Sequence, residues 1–247
     1  MKIFVLNLER ATERRGVMTR RLAEAGLEAE FLPAVDGRSI DRATLPAGTE
    51  ASLLPGEIGC YLSHLRCLEI VVERGLDHAI VLEDDVNIRP ELLRVAAEVI
   101  AVGLQWDAVR LSALNPVRGI TVAELSGGRR LVMPNKNPSG AQGYLVGLAG
   151  ARRLLERFSV PRQAIDTALD AYWKNGLCIP IVTPCLVEED QSQTSTITSN
   201  DTMRSASNKP KTVLRHWARV AEAQRRKITV YLLARKMKAG RQQRCQP

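Results

Sequence analysis

The chain has 247 residues, 45% apolar and 25% charged, which fits one sizeable α/β domain with an appendage and excludes a disordered chain, a collagen-like repeat and a polytopic membrane protein. The net charge of +8 is unevenly spread, because residues 201–247 hold 13 of the 35 basic residues and two of the 27 acidic ones. The first 200 residues carry 22 basic against 25 acidic side chains, so basicity belongs to a tail, and with only 4% aromatic residues no base-stacking surface and no nucleic-acid partner is expected.

Lys2 to Leu8 reads as a buried strand that turns polar too soon for a signal peptide, and no stretch approaches the roughly 20 apolar residues of a membrane span. Five cysteines at no metal-like spacing suit a reducing compartment, so the expectation is a cytoplasmic protein. Thr12 to Ala25 follows as a helix stopped by Gly26, Glu28 to Leu32 as a second strand, and Pro33 to Pro55 as a long loop with turn punctuation at Asp36-Gly37. From Gly56 to Arg74 the residues Ile58, Tyr61, Leu62, Leu65, Leu68 and Val72 repeat at helical spacing. Ala79 to Leu82 is apolar without alternation, as in a strand covered on both faces, and ends abruptly in Glu83-Asp84-Asp85. A helix from Pro90 to about Val102, a strand from Trp106 to Leu111, a hairpin at Gly127-Gly128, a strand over Gly143 to Val146 and a helix through Arg157 come next. Ile165 to Lys174 reads as a last helix before the tail, and Leu177 to Val182 as an edge strand because it contains Pro180. Strands alternate with helices almost throughout, which predicts a mostly parallel sheet.

In such a sheet ligands bind outside the carboxyl ends of the strands, where Glu83-Asp84-Asp85 stands. Extended geometry sends Glu83 and Asp85 to one side and Asp84 to the other. Two converging carboxylates suit Mg²⁺ or Mn²⁺ shared with a diphosphate; acids that merely precede a helix are the competing explanation. Asn7, Arg10, Arg14 and Arg15 lie at the end of the first strand and just beyond, placed for a phosphate or an acidic sugar donor, or else simply solvated. His64, beside Ser63 in the long helix, reads either as a satisfied buried histidine or as a site residue. No Walker loop, Gly-x-Gly-x-x-Gly fingerprint or Gly-x-Ser-x-Gly elbow is present.

The order of five motifs resembles glycosyltransferase family 25, the transferases of lipopolysaccharide and lipooligosaccharide synthesis. They are Val5-Leu6-Asn7-Leu8 with Arg10 and Glu13-Arg14-Arg15; Ala34-Val35-Asp36-Gly37; Gly56 to His64; Val81 to Val86; and Gly140 to Leu145. The resemblance implies a GT-A-type, Rossmann-like α/β fold over residues 1–200, a UDP-sugar donor (UDP-galactose or UDP-glucose), a lipid-linked saccharide acceptor and Mn²⁺ or Mg²⁺ at the acidic motif. It further implies Glu83 and Asp85 as metal ligands, and Asn7, Arg10, Arg14, Ser63, His64 and Asp84 as nucleotide-sugar contacts. The family's late histidine ligand has no counterpart in Val187-Glu188-Glu189-Asp190-Gln191, so Asp190 is the substitute. Inversion at the anomeric carbon requires a carboxylate to take the acceptor's proton; Asp166 and Asp170, one helical turn apart, are the candidates, with a helix N-cap as the rival role for Asp166.

Residues 201–247 form a basic, helical segment with Leu214, Trp217, Ala221, Ile228 and Leu232 at near-helical spacing among arginines and lysines. It is expected to lie on the anionic inner face of the cytoplasmic membrane and make the protein peripheral there. The rival readings of the whole chain are a nucleotidyltransferase and a non-enzymatic basic adaptor for membrane or nucleic acid whose acidic triplet is structural.

Overall fold

A computed structural model describes residues 1–190 and the backbone of helix Val213–Arg244, with side chains of that helix described over 220–239. Its strands are β1 (Lys2–Asn7), β2 (Glu30–Pro33), β3 (His78–Glu83), β4 (Val86–Ile88), β5 (Ala108–Arg110), β6 (Gly119–Glu124), β7 (Arg130–Pro134), β8 (Gly143–Gly147), β9 (Ile181–Thr183) and β10 (Val187–Glu189). The helices are α1 (Thr12–Glu24), α2 (Pro55–Glu73), α3 (Leu92–Ala101), α4 (Leu148–Arg157), α5 (Ile165–Asp170) and α6 (Val213–Arg244).

Eight strands form one sheet in the order β2-β1-β3-β8-β5-β9-β7-β6. The pairings β1 with β2, β1 with β3 and β5 with β9 are parallel, while β8 and β7 run against their neighbours, so six of the eight strands point the same way. This is the mostly parallel α/β sheet that the alternation of elements predicts. Phe4, Val5, Ile80, Val81, Leu82 and Leu145 are buried because helices cover both faces of the central strands. Apolar burial of this kind, about 25 cal/mol per Å², is the main force holding the layers together.

Two expectations are corrected, and one strand pair is new. Strand β9 lies between β5 and β7 and is not an edge; Pro180 sits just before it, where no ladder N–H is needed, and its carbonyl accepts from the Arg110 amide at 2.9 Å. The helix expected over Ile165 to Lys174 ends at Asp170, and turns follow. A small antiparallel pair, β4 with β10, has no counterpart in the sequence reading; it sets Val86 against Glu189 and so returns the late acidic run to the acidic triplet.

Helix α6 is held to the body through Val230, Ala234 and Met237, one face of the helix, which are buried where it packs on β6 and β7. Ala221, Ile228 and Leu232, from the apolar set read in the sequence, face outward. The side chains of Leu214 and Trp217, and the expected domain boundary near residue 200, lie outside the described residues.

Candidate active site

Register places the site. Leu6 of β1 pairs with Glu83 of β3, so the next residue on β1, Asn7, comes level with Asp84 and donates from Nδ2 to Asp84 Oδ2 at 2.7 Å. The first turn of α1 then lowers Arg14 onto the same acids. Its Nη1 lies 2.8 Å from Asp84 Oδ1 and its Nη2 3.2 Å from Asp85 Oδ2. Glu83 turns the other way, toward α2, where its Oε1 stands 3.3 Å from His64 Nε2 and 3.9 Å from the Cys60 thiol. His64 is itself buried, with Nδ1 3.2 Å from the Tyr144 hydroxyl.

Asp85 is the unfinished member of this group. Burial raises its pKa to about 6, with the Glu83 charge adding to the shift and the Arg14 charge opposing it. Its Oδ1 is buried with no hydrogen-bond partner, and so is Oδ1 of Asn7. An ionisable oxygen without a donor, beside a second carboxylate, is the donor set that a hard divalent cation takes. Asp85 thus has one oxygen to offer a cation, while Glu83, the other expected ligand, is directed at His64 and Cys60. Cys60, His64 and Glu83 also bring a thiol, an imidazole and a carboxylate within 4.8 Å of one another. Burial and the Glu83 charge push the Cys60 thiol well up, and the thiol donates toward the Glu83 carboxylate.

The other expected site residues are more scattered. Arg10 ion-pairs with Asp36, which Arg38 grips from its other side; the Arg38 hydrogen bond holds the Asp36 carboxyl down to about 2. Ser63 is a fastener: its Oγ accepts from the Val35 amide at 2.8 Å and donates to the Gly59 carbonyl at 2.6 Å. It thereby pins the 34–37 loop to α2. The contact is backbone to backbone, because a Cβ on Gly59 would stand 2.5 Å from the Val35 carbonyl oxygen. Asp190 donates its amide to the Asp85 carbonyl at 2.8 Å while its carboxylate pairs with Arg21. Asp166 is partly exposed, with Oδ1 accepting from the Thr167 amide at 2.6 Å. The N-cap of α5 is Ala164, so Asp166 does not fill that role. Its charge reaches the site, adding to the upward shift of Cys60.

Asp170 is committed elsewhere. It is 4% exposed, its Oδ1 lies 2.5 Å from Arg110 Nη1, and its Oδ2 accepts from the Ser139 amide at 3.1 Å. Arg110 also donates from Nη2 to the Ser139 carbonyl at 2.6 Å and to the Gly140 carbonyl. The pair thus clamps the turn at Ser139-Gly140, whose φ values are +57° and +77°. From that turn the chain runs to Gln142, whose carbonyl accepts from the Glu83 amide at 3.0 Å. Arg110, Cys60, Tyr144 and Arg21 were missed as contributors to the site. For Arg110 the signal was available: an arginine inside the apolar run Ala108-Val109-Arg110-Leu111 needs a buried partner.

The family model for glycosyltransferase family 25 (LPS biosynthesis protein) matches residues 1–169. Among curated relatives, a mouse protein named inactive glycosyltransferase 25 family member 3 is 35% identical over 172 residues, which is 62% of this chain and 28% of that protein. A glycosyltransferase 25 family member of Aedes aegypti is 33% identical over 170 residues, with 62% and 28% covered. Human procollagen galactosyltransferase 2 is 28% identical over 177 residues, with 62% and 27% covered. The aligned part thus spans little more than a quarter of these relatives. A crystal structure of an active-site mutant of LgtC superposes at a TM-score of 0.44 with 14% identity, covering 90% of this chain and 96% of that one. With more than half its length matched by the family model, the chain belongs to glycosyltransferase family 25.

Proposed function

We propose that the protein transfers a hexose, galactose or glucose, from a UDP-sugar to a saccharide acceptor carried on lipid, as in lipopolysaccharide or lipooligosaccharide assembly, with inversion. The observation that carries this reading is Asp85 Oδ1, an oxygen buried without a partner at the carboxyl end of β3. Asp85 and Glu83 would hold Mn²⁺ or Mg²⁺, with Asp190 kept beside Asp85 by the hydrogen bond from its backbone N–H to the Asp85 carbonyl. When bound, such a cation offsets the charge that grows on the departing nucleoside diphosphate.

The chain's own groups do the rest. Arg14 presents a guanidinium at the same rim and suits a phosphate oxygen in two-pronged geometry. Asn7 offers an uncommitted amide oxygen to a ribose or sugar hydroxyl. His64 and Cys60 fix the Glu83 carboxylate in one rotamer, so that no side-chain freedom is lost when ligand arrives. Asp166, partly exposed, is assigned the acceptor's proton, and Asp170 positions the Ser139-Gly140 turn.

Attachment to a membrane surface is part of the same reading. Among the described residues no helix is long and apolar enough to cross a membrane. Helix α6 instead turns Ile228 and Leu232 outward, 59% and 57% exposed, with Arg225 and Arg235 exposed nearby on the same helix. This combination favours an anionic lipid surface, and a peripheral location on the cytoplasmic membrane follows. The deciding experiment is UDP-galactose and UDP-glucose hydrolysis with Mn²⁺ in the wild-type and Asp85→Ala proteins, with circular dichroism as the folding control. Turnover lowered by about 100-fold in a folded variant is expected; equal turnover overturns the reading.

A further inference from the structure

Away from the acidic triplet the molecule has a concavity of about 550 Å³, lined by Asn115, Pro116, Arg118, Lys136, Asn137 and Arg226. Three of these side chains are cations and none is an acid. Among the described residues, Arg118, Lys136 and Arg226 make no ion pair, in a molecule where most arginines of the body find a carboxylate. Arg226 is the most constrained of the three. Its Nη1 donates to Asn137 Oδ1, while its Nε and Nη2 are buried with no hydrogen-bond partner. The neighbouring Tyr172 hydroxyl donates to the Pro134 carbonyl at 2.5 Å and turns its oxygen to the Arg226 guanidinium, whose charge also acts on Asp170 and Glu222. Buried guanidinium donors without an acceptor are costly, and three like charges around one hollow repel; a single anion resolves both.

The hollow is connected to the candidate active site through one stretch of chain. Asn115 Nδ2 donates to Ser139 Oγ at 2.9 Å and to the Asn137 carbonyl at 3.3 Å. Ser139 opens the turn clamped by Arg110 and Asp170, and three residues later Gln142 bonds Glu83. That stretch spans at most about 11 Å of chain, within the reach of a short saccharide.

We propose that this cavity seats an anionic substituent, a phosphate or carboxylate, on the acceptor saccharide, so that the transferase selects charged over neutral acceptors. The proposal rests on the glycosyl-transfer reading above and adds the acceptor's chemical class. Forked guanidinium donors, an ammonium group and two amides are the groups that recognise such anions.

The test uses the full chain and three probes: hexose 6-phosphate, the neutral hexose and inorganic phosphate, titrated by calorimetry. Binding of hexose 6-phosphate is expected to exceed that of the neutral hexose at least tenfold, and to fall at least tenfold in the Lys136→Glu, Arg118→Glu double variant. Both positions are exposed, and the charge-neutral pair Lys136→Gln, Arg118→Gln gives a smaller drop in the same direction. Equal affinity in the wild-type and charge-reversed proteins overturns the proposal. Inorganic phosphate bound as tightly as hexose 6-phosphate marks an adventitious ion site only, and overturns the saccharide assignment. The two readings fail separately. A protein that binds hexose 6-phosphate through Lys136 but never a UDP-sugar refutes the donor reading and keeps the anion site. One that binds the UDP-sugar but ignores the charge reversal refutes the cavity proposal alone.

Discussion

Two arginine-carboxylate groups stand along the same sheet and differ in how completely they are satisfied. Arg110 and Asp170 are almost wholly buried, and both carboxylate oxygens of Asp170 receive donors. Arg14 with Asp84 and Asp85 is more open, and one oxygen of Asp85 has no partner. The first group is saturated and holds shape. The second is short of positive charge and donors, and that deficit is what a ligand can fill.

Breaking the saturated pair should have the largest effect. Arg110→Ala leaves a buried carboxylate uncompensated and is expected to cost about 3–5 kcal/mol in urea unfolding; a loss under 1 kcal/mol would show that the clamp is not structural. Next comes the unsaturated group, where Asp85→Ala should lower donor turnover by about 100-fold, or about 2.7 kcal/mol in barrier, without loss of stability.

The pH response sharpens the contrast. Asp85 has a folded pKa of about 6, above the ordinary carboxyl value near 4. Its contribution is therefore fully present below pH of about 4 and lost as pH rises through about 6, so the metal-free protein should weaken by roughly 2–3 kcal/mol over that window. Asp85→Asn should flatten that slope, and an unchanged slope in chemical denaturation across this range refutes the assignment. Gly59→Ala comes third, since its Cβ would meet the Val35 carbonyl at 2.5 Å; about 1–3 kcal/mol is expected, with weaker UDP binding as the 34–37 loop shifts. The smallest change belongs to the outer face of α6. Ile228→Ser with Leu232→Ser should alter stability by under about 0.5 kcal/mol yet release the protein from phosphatidylserine vesicles in flotation. Retention on those vesicles removes the membrane reading.

How much of this was legible depends on range along the chain. The Glu83-Asp84-Asp85 rim could be read because an apolar strand and its polar end are contiguous; Glu83 and Asp84 face opposite ways as strand alternation gives, but Asp85, in the bend beyond β3, joins Asp84 on Arg14 and not Glu83 as expected. The tie between Arg110 and Asp170 joins residues 60 positions apart, and no local pattern names the partner. Strands β4 and β10 are three residues each, too short to leave a periodic signal, so the return of Asp190 to Asp85 was invisible. In α6 the outward stripe was read, while Val230, Ala234 and Met237, the face that docks, was not; Tyr231, Leu232 and Leu233 between the first two make the run apolar on every side and hide the spacing. Pro180 misled because its ring was assigned to the strand it only introduces.

The reversed course of β8 has one more implication. Between β3 and β5 it brings an inbound stretch of backbone to a border where its flanking strands only depart, and the link from β7 into it contains no helix. Length can be gained or lost in that link without dislodging any crossover helix. Divergence among relatives in which sugars they accept should therefore concentrate between residues 135 and 138, ahead of the turn that Arg110 and Asp170 hold.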